Sequence, residues 1–321
     1  MQPQTSGVSV VLQAVSAPSA RVAWVTGHGG VVLRTTDGGH TWLRRAVATA
    51  ESLQFRDVHA HDSASAWILA AGPGDRSRIY HTTDGGATWT LQFRNTTAQA
   101  FFDCFAFWDA ERGLAFSDAV AGRFVLMQTR DGGAHWLATP DEALPAAQPG
   151  EGAFAASGTC VVTVAGDYAW IATGAADTAR VLRTSDGGRT WAAVSVPIPG
   201  GAFAGLTTLA FRDSLTGMAL GGDLGDSTVA TPNAAVTEDG GRTWRAAGRT
   251  GFAGAAYGAA FVPGTPAVVA VGPGGIAWSP DRGASWVPLD SASYWSVGFA
   301  PAGRTGWAVG PGGRIVRLTA P

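Results

Sequence analysis

The chain has 321 residues, enough for one large all-β unit or two ordinary domains. Only 14% of its residues are charged, the net charge is -2 and every basic residue is arginine, a balance without the basic face that a nucleic-acid-binding domain needs. No run reaches the roughly 20 apolar residues that cross a bilayer, so membrane insertion is not expected; "MQPQTSG" reads as a mature N-terminus behind a removed leader, and the expected location is periplasmic or extracellular.

In chain order, the same elements return. An apolar stretch, "AWVTG", leads into the polar block "RTTDGGHTW" at Arg34 to Trp42. The pair recurs as "AWILA" with "HTTDGGATW", "GLAFS" with "QTRDGGAHW", "AWIATG" with "RTSDGGRTW", "GMALG" with "VTEDGGRTW", and "VVAVG" with "WSPDRGASW". The block aspartates, Asp37, Asp84, Asp131, Asp186, Asp239 and Asp281, stand 47, 47, 55, 53 and 42 residues apart. A seventh apolar stretch, "GWAVG" ending at Gly310, has no block after it. Further upstream in the units lie "CFAFWD", "TLAFRD", "GAAFVP" and "SVGFAP", and an apolar strand follows each block tryptophan. Four short strands separated by Gly, Asp and Pro turns, at a period of about 40 to 50 residues, describe a propeller blade. The expected fold is therefore all-β, a seven-bladed β-propeller of four-stranded antiparallel blades occupying residues 1–321. The seventh blade, near residues 293 to 318, stops where its block would begin, and Gln2 to Ser6 are expected to supply its missing outer strand and close the ring.

Within the block, the aspartate is expected to tie a hairpin turn by accepting backbone N–H groups. The glycine two residues on, such as Gly39, supplies backbone freedom. The tryptophans Trp42, Trp89, Trp136, Trp191, Trp244 and Trp286 are apolar anchors. These residues resemble the Asp-box, or BNR, repeat of sialidases, other glycoside hydrolases and several non-enzymatic propellers. The resemblance implies that the boxes lie at the turns between third and fourth strands, on the face away from any active site.

Catalytic and metal readings find little support. The chain lacks the Arg-Ile-Pro motif of a sialidase-like site, and Tyr80, Tyr168, Tyr257 and Tyr294 stand in no evident motif. His59 and His61 in "VHAHD" read as surface or packing residues rather than ligands. Cys104 and Cys160 occupy matching places in the first strands of blades three and four; they are read as two buried thiols, with a disulfide as the alternative. The "GPGG" and "GHGG" pieces connect strands instead of opening helices, so they are not phosphate loops. No cofactor is implied.

The pattern breaks in three places, all expected on the face opposite the boxes: "FSDAVAGRF" in blade three, the link "TPDEALPAAQPGEGAFAASGTC" between blades three and four, and "GGDLGDSTVATPNAAV" in blade five. Long loops on a rigid scaffold commonly carry function. The candidate binding site accordingly takes Asp103, Asp118, Arg123, Glu151, Asp223 and Asn233, whose alternative role is to fasten the loops. The combination "AFWDAERGLAFSDAVAGRF", "GEGAFAASGTC" and "GWAVGPGGRI" resembles a bacterial group related to the photosystem II stability and assembly factor family. That resemblance implies an exported seven-bladed propeller that binds another protein, such as a subunit of a membrane complex during assembly. A carbohydrate-active enzyme or lectin using the loop-rich face is the second reading.

Overall fold

Alternating apolar residues punctuated by glycine turns produce seven four-stranded sheets among the described residues, which in this computed structural model are 1–228 and 231–320. Each sheet is antiparallel throughout. In six of them strand order follows chain order, from an innermost strand such as Phe102–Phe107 to a short outer strand such as Leu137–Ala138. The seven innermost strands are Leu12–Ser16, Phe55–Ala60, Phe102–Phe107, Val161–Val164, Ala204–Phe211, Gly258–Phe261 and Ser296–Phe299. The second strands, among them Ala23–Gly27 and Ala66–Ala70, are buried along their whole length because a neighbouring blade covers each face. That is why they read as continuous rather than alternating apolar runs. Trp24, Trp170 and Trp307 lie fully buried in these second strands.

The repeated box is a turn staple. In the first copy, Asp37 Oδ1 accepts Thr35 Oγ1–H at 2.8 Å and Thr41 N–H at 2.9 Å, while Thr41 Oγ1 donates to Asp37 Oδ2 at 2.7 Å. Thr35 Oγ1 also accepts the N–H of Gly39, whose φ of +86° only glycine adopts easily. The arrangement recurs around Asp84, Asp131, Asp186, Asp239 and Asp281. At Asp131 the imidazole of His135 stands where the others place a hydroxyl, and its backbone and side chain together hold the Asp131 carboxyl down at about 2.

The seventh blade takes its fourth strand from the other end of the chain. Gln2–Gln4 pairs antiparallel with Arg314–Thr319, with Pro3 opposite Val316 and Gln4 opposite Ile315. The Gln4 side chain then clasps two blades. Its Oε1 accepts both Trp307 Nε1–H of blade seven and Trp42 Nε1–H of blade one, each at 3.1 Å, and its Nε2 donates to Gly38 O at 3.1 Å.

The link between blades three and four fills the middle of the ring instead of standing out from it. Residues 152–159 exchange hydrogen bonds with every blade. Ala155 O accepts Gln13 Nε2–H of blade one at 2.8 Å and Arg56 Nη1–H of blade two at 3.5 Å. Ala153 N–H donates to Asp118 of blade three at 3.0 Å, and Gly152 pairs with Gly174 of blade four. Thr159 O accepts Leu209 N–H of blade five, Ser157 Oγ donates to Tyr257 O of blade six at 2.6 Å, and Ser296 Oγ of blade seven donates to Ser157 O. Gly158, at φ +77°, turns the segment where a side chain would collide with the buried Asp57 carboxylate.

Immediately after this segment, Cys160 is joined to Cys104 by a disulfide, with Cα atoms 6.0 Å apart. The reading of two free thiols is overturned. Cys104 lies in the inner strand of blade three and Cys160 immediately precedes that of blade four, and ring packing brings the starts of adjacent inner strands within disulfide range.

Two consequences are measurable. Removing residues 1–8 strips one blade of its outer strand and the ring of its clasp, so the melting temperature should drop by many degrees, whereas Gln4→Ala alone should cost about 2 kcal/mol; equal effects of the two changes would contradict closure through strand pairing. Replacing both cysteines by alanine opens a loop of 56 residues and should destabilise the fold by about 4 kcal/mol, with no titratable thiol in the unreduced, denatured parent protein.

Candidate functional site

Up-and-down strand order sends each innermost strand away from the inter-blade links, and each third-to-fourth turn, hence each box, to the opposite end. The starts of the inner strands therefore ring the mouth of the central channel on the face without boxes. In blades one, two, three and five a β-bulge falls at this level, between Leu12 and Ala14, Phe55 and Asp57, Phe102 and Cys104, and Leu206 and Thr208. A bulge re-aims the extra residue's side chain. The extra residues are Gln13, Arg56, Asp103 and Thr207, so the local irregularity delivers four polar side chains to one level around the axis.

Beside the segment that fills the channel lies a cleft of about 540 Å³. Its walls include Arg56, Asp103, Asp118 and Glu151, and its rim is aromatic, with Phe101, Phe154, Phe203, Tyr257 and Trp295. Phe203 is 69% exposed, an unusual position for a side chain of that size. The rings of Tyr257 and Trp295 meet with centroids 4.9 Å apart. Arg56 is held by Gln54 Oε1 and lies over the Phe101 ring at 6.0 Å.

Of the six residues singled out from the sequence, the structure brings Asp103, Asp118 and Glu151 to this cleft and leaves three elsewhere. Asp103 is buried, and burial together with the Asp118 charge pushes its carboxyl well above the usual range. Burial also pushes Asp118 up to about 6, against the Ala153 N–H and the hydrogen bond from Asp103. The two acids are thus close enough for the charge of one to oppose ionisation of the other. Glu151 is wholly buried and fully engaged: it takes Arg180 Nε at 2.9 Å and Nη2 in a forked ion pair, Thr173 Oγ1–H at 2.6 Å and Gln148 N–H at 2.8 Å. It anchors the long link. Arg123 is exposed and pairs with Asp141 over a separate groove. Asp223 Oδ1 caps its own loop through Gly225 N–H at 2.8 Å. Asn233 is buried and exchanges hydrogen bonds with Thr250, tying the blade-five loop to the next link; residues 229 and 230 of that loop lie outside the described residues. His59 packs between Trp67 and Phe107, where burial lowers its imidazole to about 4, and His61 is exposed.

The aromatic rim escaped the sequence reading although a signal was there. Phe101, Phe203, Tyr257 and Trp295 each occupy the position just before an inner strand, in blades three, five, six and seven. Aligning the repeats on that boundary, rather than on the boxes, would have found all four.

A family model described as Photosynthesis system II assembly factor YCF48 matches residues 4–93. Among solved structures, "YCF48 bound to D1 peptide" is similar over 100% of this chain and 96% of its own, at 15% identity and a TM-score of 0.68. The chain is a seven-bladed propeller similar to the photosystem II assembly factors. YCF48 from Cyanidioschyzon merolae is similar to this propeller over 99% of this chain and 98% of its own, at 17% identity and a TM-score of 0.66. A GH74 xyloglucanase from Xanthomonas campestris is similar over 98% of the propeller at 17% identity and a TM-score of 0.67, but the propeller spans only 53% of that enzyme's length. No curated protein matches its sequence. At these identities the likenesses establish the ring, and the contents of the cleft have to be argued from its own residues.

The burial contrast gives a direct check on which acidic and basic groups build the fold. Glu151→Ala leaves Arg180 uncompensated in a largely buried position and should cost about 3–5 kcal/mol. Arg123→Ala removes an exposed ion pair and should cost at most about 1 kcal/mol. Thermal melts of the two variants should differ accordingly, and comparable losses would contradict this assignment.

Proposed function

We propose that this propeller binds an extended segment of another protein in the cleft at the mouth of its channel, acting without catalysis as an exported, assembly-factor-like scaffold. The observation that carries the reading is the cleft itself: a concave site of about 540 Å³ whose rim is formed by aromatic side chains set on a rigid ring. Aromatic anchors dominate protein-recognition energetics, and a pre-formed cleft lowers the ordering cost of binding. The similar propeller whose solved structure carries a D1 peptide supports peptide as the class of ligand. The likeness to assembly factors supports, as the partner, a membrane-complex subunit held during assembly. The Cys104–Cys160 disulfide supports export, since such bonds persist in oxidising compartments.

The glycoside hydrolase reading is disfavoured on geometry. Retaining enzymes hold their carboxyls about 5–5.5 Å apart and inverting enzymes farther, leaving space for the sugar or a water. Among the acids of the cleft Asp103 is only 2% exposed, Asp118 is engaged by Ala153 N–H and Glu151 is consumed by Arg180, a set without two open carboxyls to flank a sugar ring.

Selection from a display library of random 12-residue peptides tests the proposal. Peptides that bind the parent protein should lose at least tenfold in affinity on Trp295→Ala or Tyr257→Ala, because either change removes half of the aromatic pair. Failure to enrich any peptide, together with turnover of aryl glycosides or binding of oligosaccharides, would overturn it.

A further inference from the structure

Asp103 is a buried carboxyl with one oxygen unmatched. It is only 2% exposed, yet among the described residues its Oδ2 receives no N–H or O–H. A buried carboxylate oxygen without a donor is costly, and structures retain one where something else supplies the donor. The residue is not there by default, because a bulge in the inner strand of blade three turns it to the channel mouth, where it lines the cleft. Its neighbour Asp118 leaves one oxygen available, the other being taken by Ala153 N–H at 3.0 Å. Blades six and seven, which carry Tyr257 and Trp295, stand across the ring from blade three, and both rings line the same cleft.

We propose that this cleft accepts a primary ammonium group, a lysine side chain or N-terminal amine of the bound segment, held by the Asp103–Asp118 pair and the aromatic faces of Tyr257 and Trp295. The proposal deepens the peptide-binding reading and rests on it. An ammonium carries three donors and a compact charge that aromatic faces attract. A guanidinium is a poorer match, since its planar fork seeks two free oxygens on one carboxylate and Asp118 has one already engaged. Binding exchanges cations: as the ammonium enters, a proton held by Asp118 below about 6 leaves to solvent.

The charged and titratable groups around the pair set the sign of the pH dependence. Arg56 faces it from blade two and opposes a second cation; His28 lies behind Gln13, Glu151 is neutralised by Arg180, and Tyr257 stays protonated below its raised range. Asp118, raised to about 6 by burial, is the group that titrates near neutrality. Affinity should therefore rise as pH increases through about 6, with release of protons on binding.

The probes are Nα-acetyl-lysine methylamide and its norleucine counterpart, which has the same apolar stem without the ammonium. Titration followed by the indole N–H resonance of Trp295 should show the lysine amide binding at least tenfold more tightly than the norleucine amide at pH 7.5. That preference should shrink at pH 5, vanish in Asp103→Asn and Asp118→Asn, and grow several-fold in Arg56→Gln. Equal binding of the two probes to the parent protein would overturn the proposal without reference to any variant. A display-selected peptide whose basic groups can be replaced by norleucine and acetylated without loss would overturn it while leaving peptide binding intact.

Discussion

Eight residues, 152–159, hydrogen-bond to all seven blades, and the rest of the architecture is arranged around that contact. A propeller's blades touch only their neighbours, so the axis is where the ring has no inherent cohesion. Filling it with a segment of mostly small residues gives Gln13 and Arg56, which the inner strands turn inward, a backbone acceptor at Ala155. The bulges at Gln13, Arg56 and Asp103 make sense in this light, since regular pairing would aim those side chains into the blade interfaces. The disulfide at Cys160 fixes the point where the segment leaves the axis.

Around that centre, two weaker devices hold the circumference. The boxes close each third-to-fourth turn through one aspartate and one hydroxyl, and Gln4 joins first and last blades through a single amide. Each is a local, side-chain solution to a backbone problem. The ring is thereby stiff on the box face, which leaves the opposite face free to carry irregular loops.

Most of the fold was legible because repetition reports itself: six boxes and seven apolar second strands count the blades directly. The site was legible only in part. Asp103 and Asp118 were reached through the broken pattern of blade three, and Glu151 through the long link, but sequence could not tell that Glu151 is spent on Arg180 or that Arg123 points to Asp141. Pairing of that kind depends on distances between residues far apart in the chain. The disulfide is hard to read for a different reason: it depends on the side-by-side packing of adjacent blades, which spacing along the chain does not report. The aromatic rim is hard to read because four of its five members, Phe101, Phe203, Tyr257 and Trp295, stand one residue outside the inner strands and Phe154 lies in the link.

The cleft combines an aromatic rim, an acidic pair carrying an unmatched oxygen, and a wall segment bonded to every blade. The central claim is that binding happens there and not on the boxes or the outer strands. Hydrogen–deuterium exchange of the parent protein with and without a saturating, display-selected peptide tests this most directly. The account predicts protection in segments containing Phe101, Asp118, Phe154, Phe203 and Trp295, with the box turns unchanged. Protection confined to the box turns or to outer strands such as Thr90–Arg94 would contradict it.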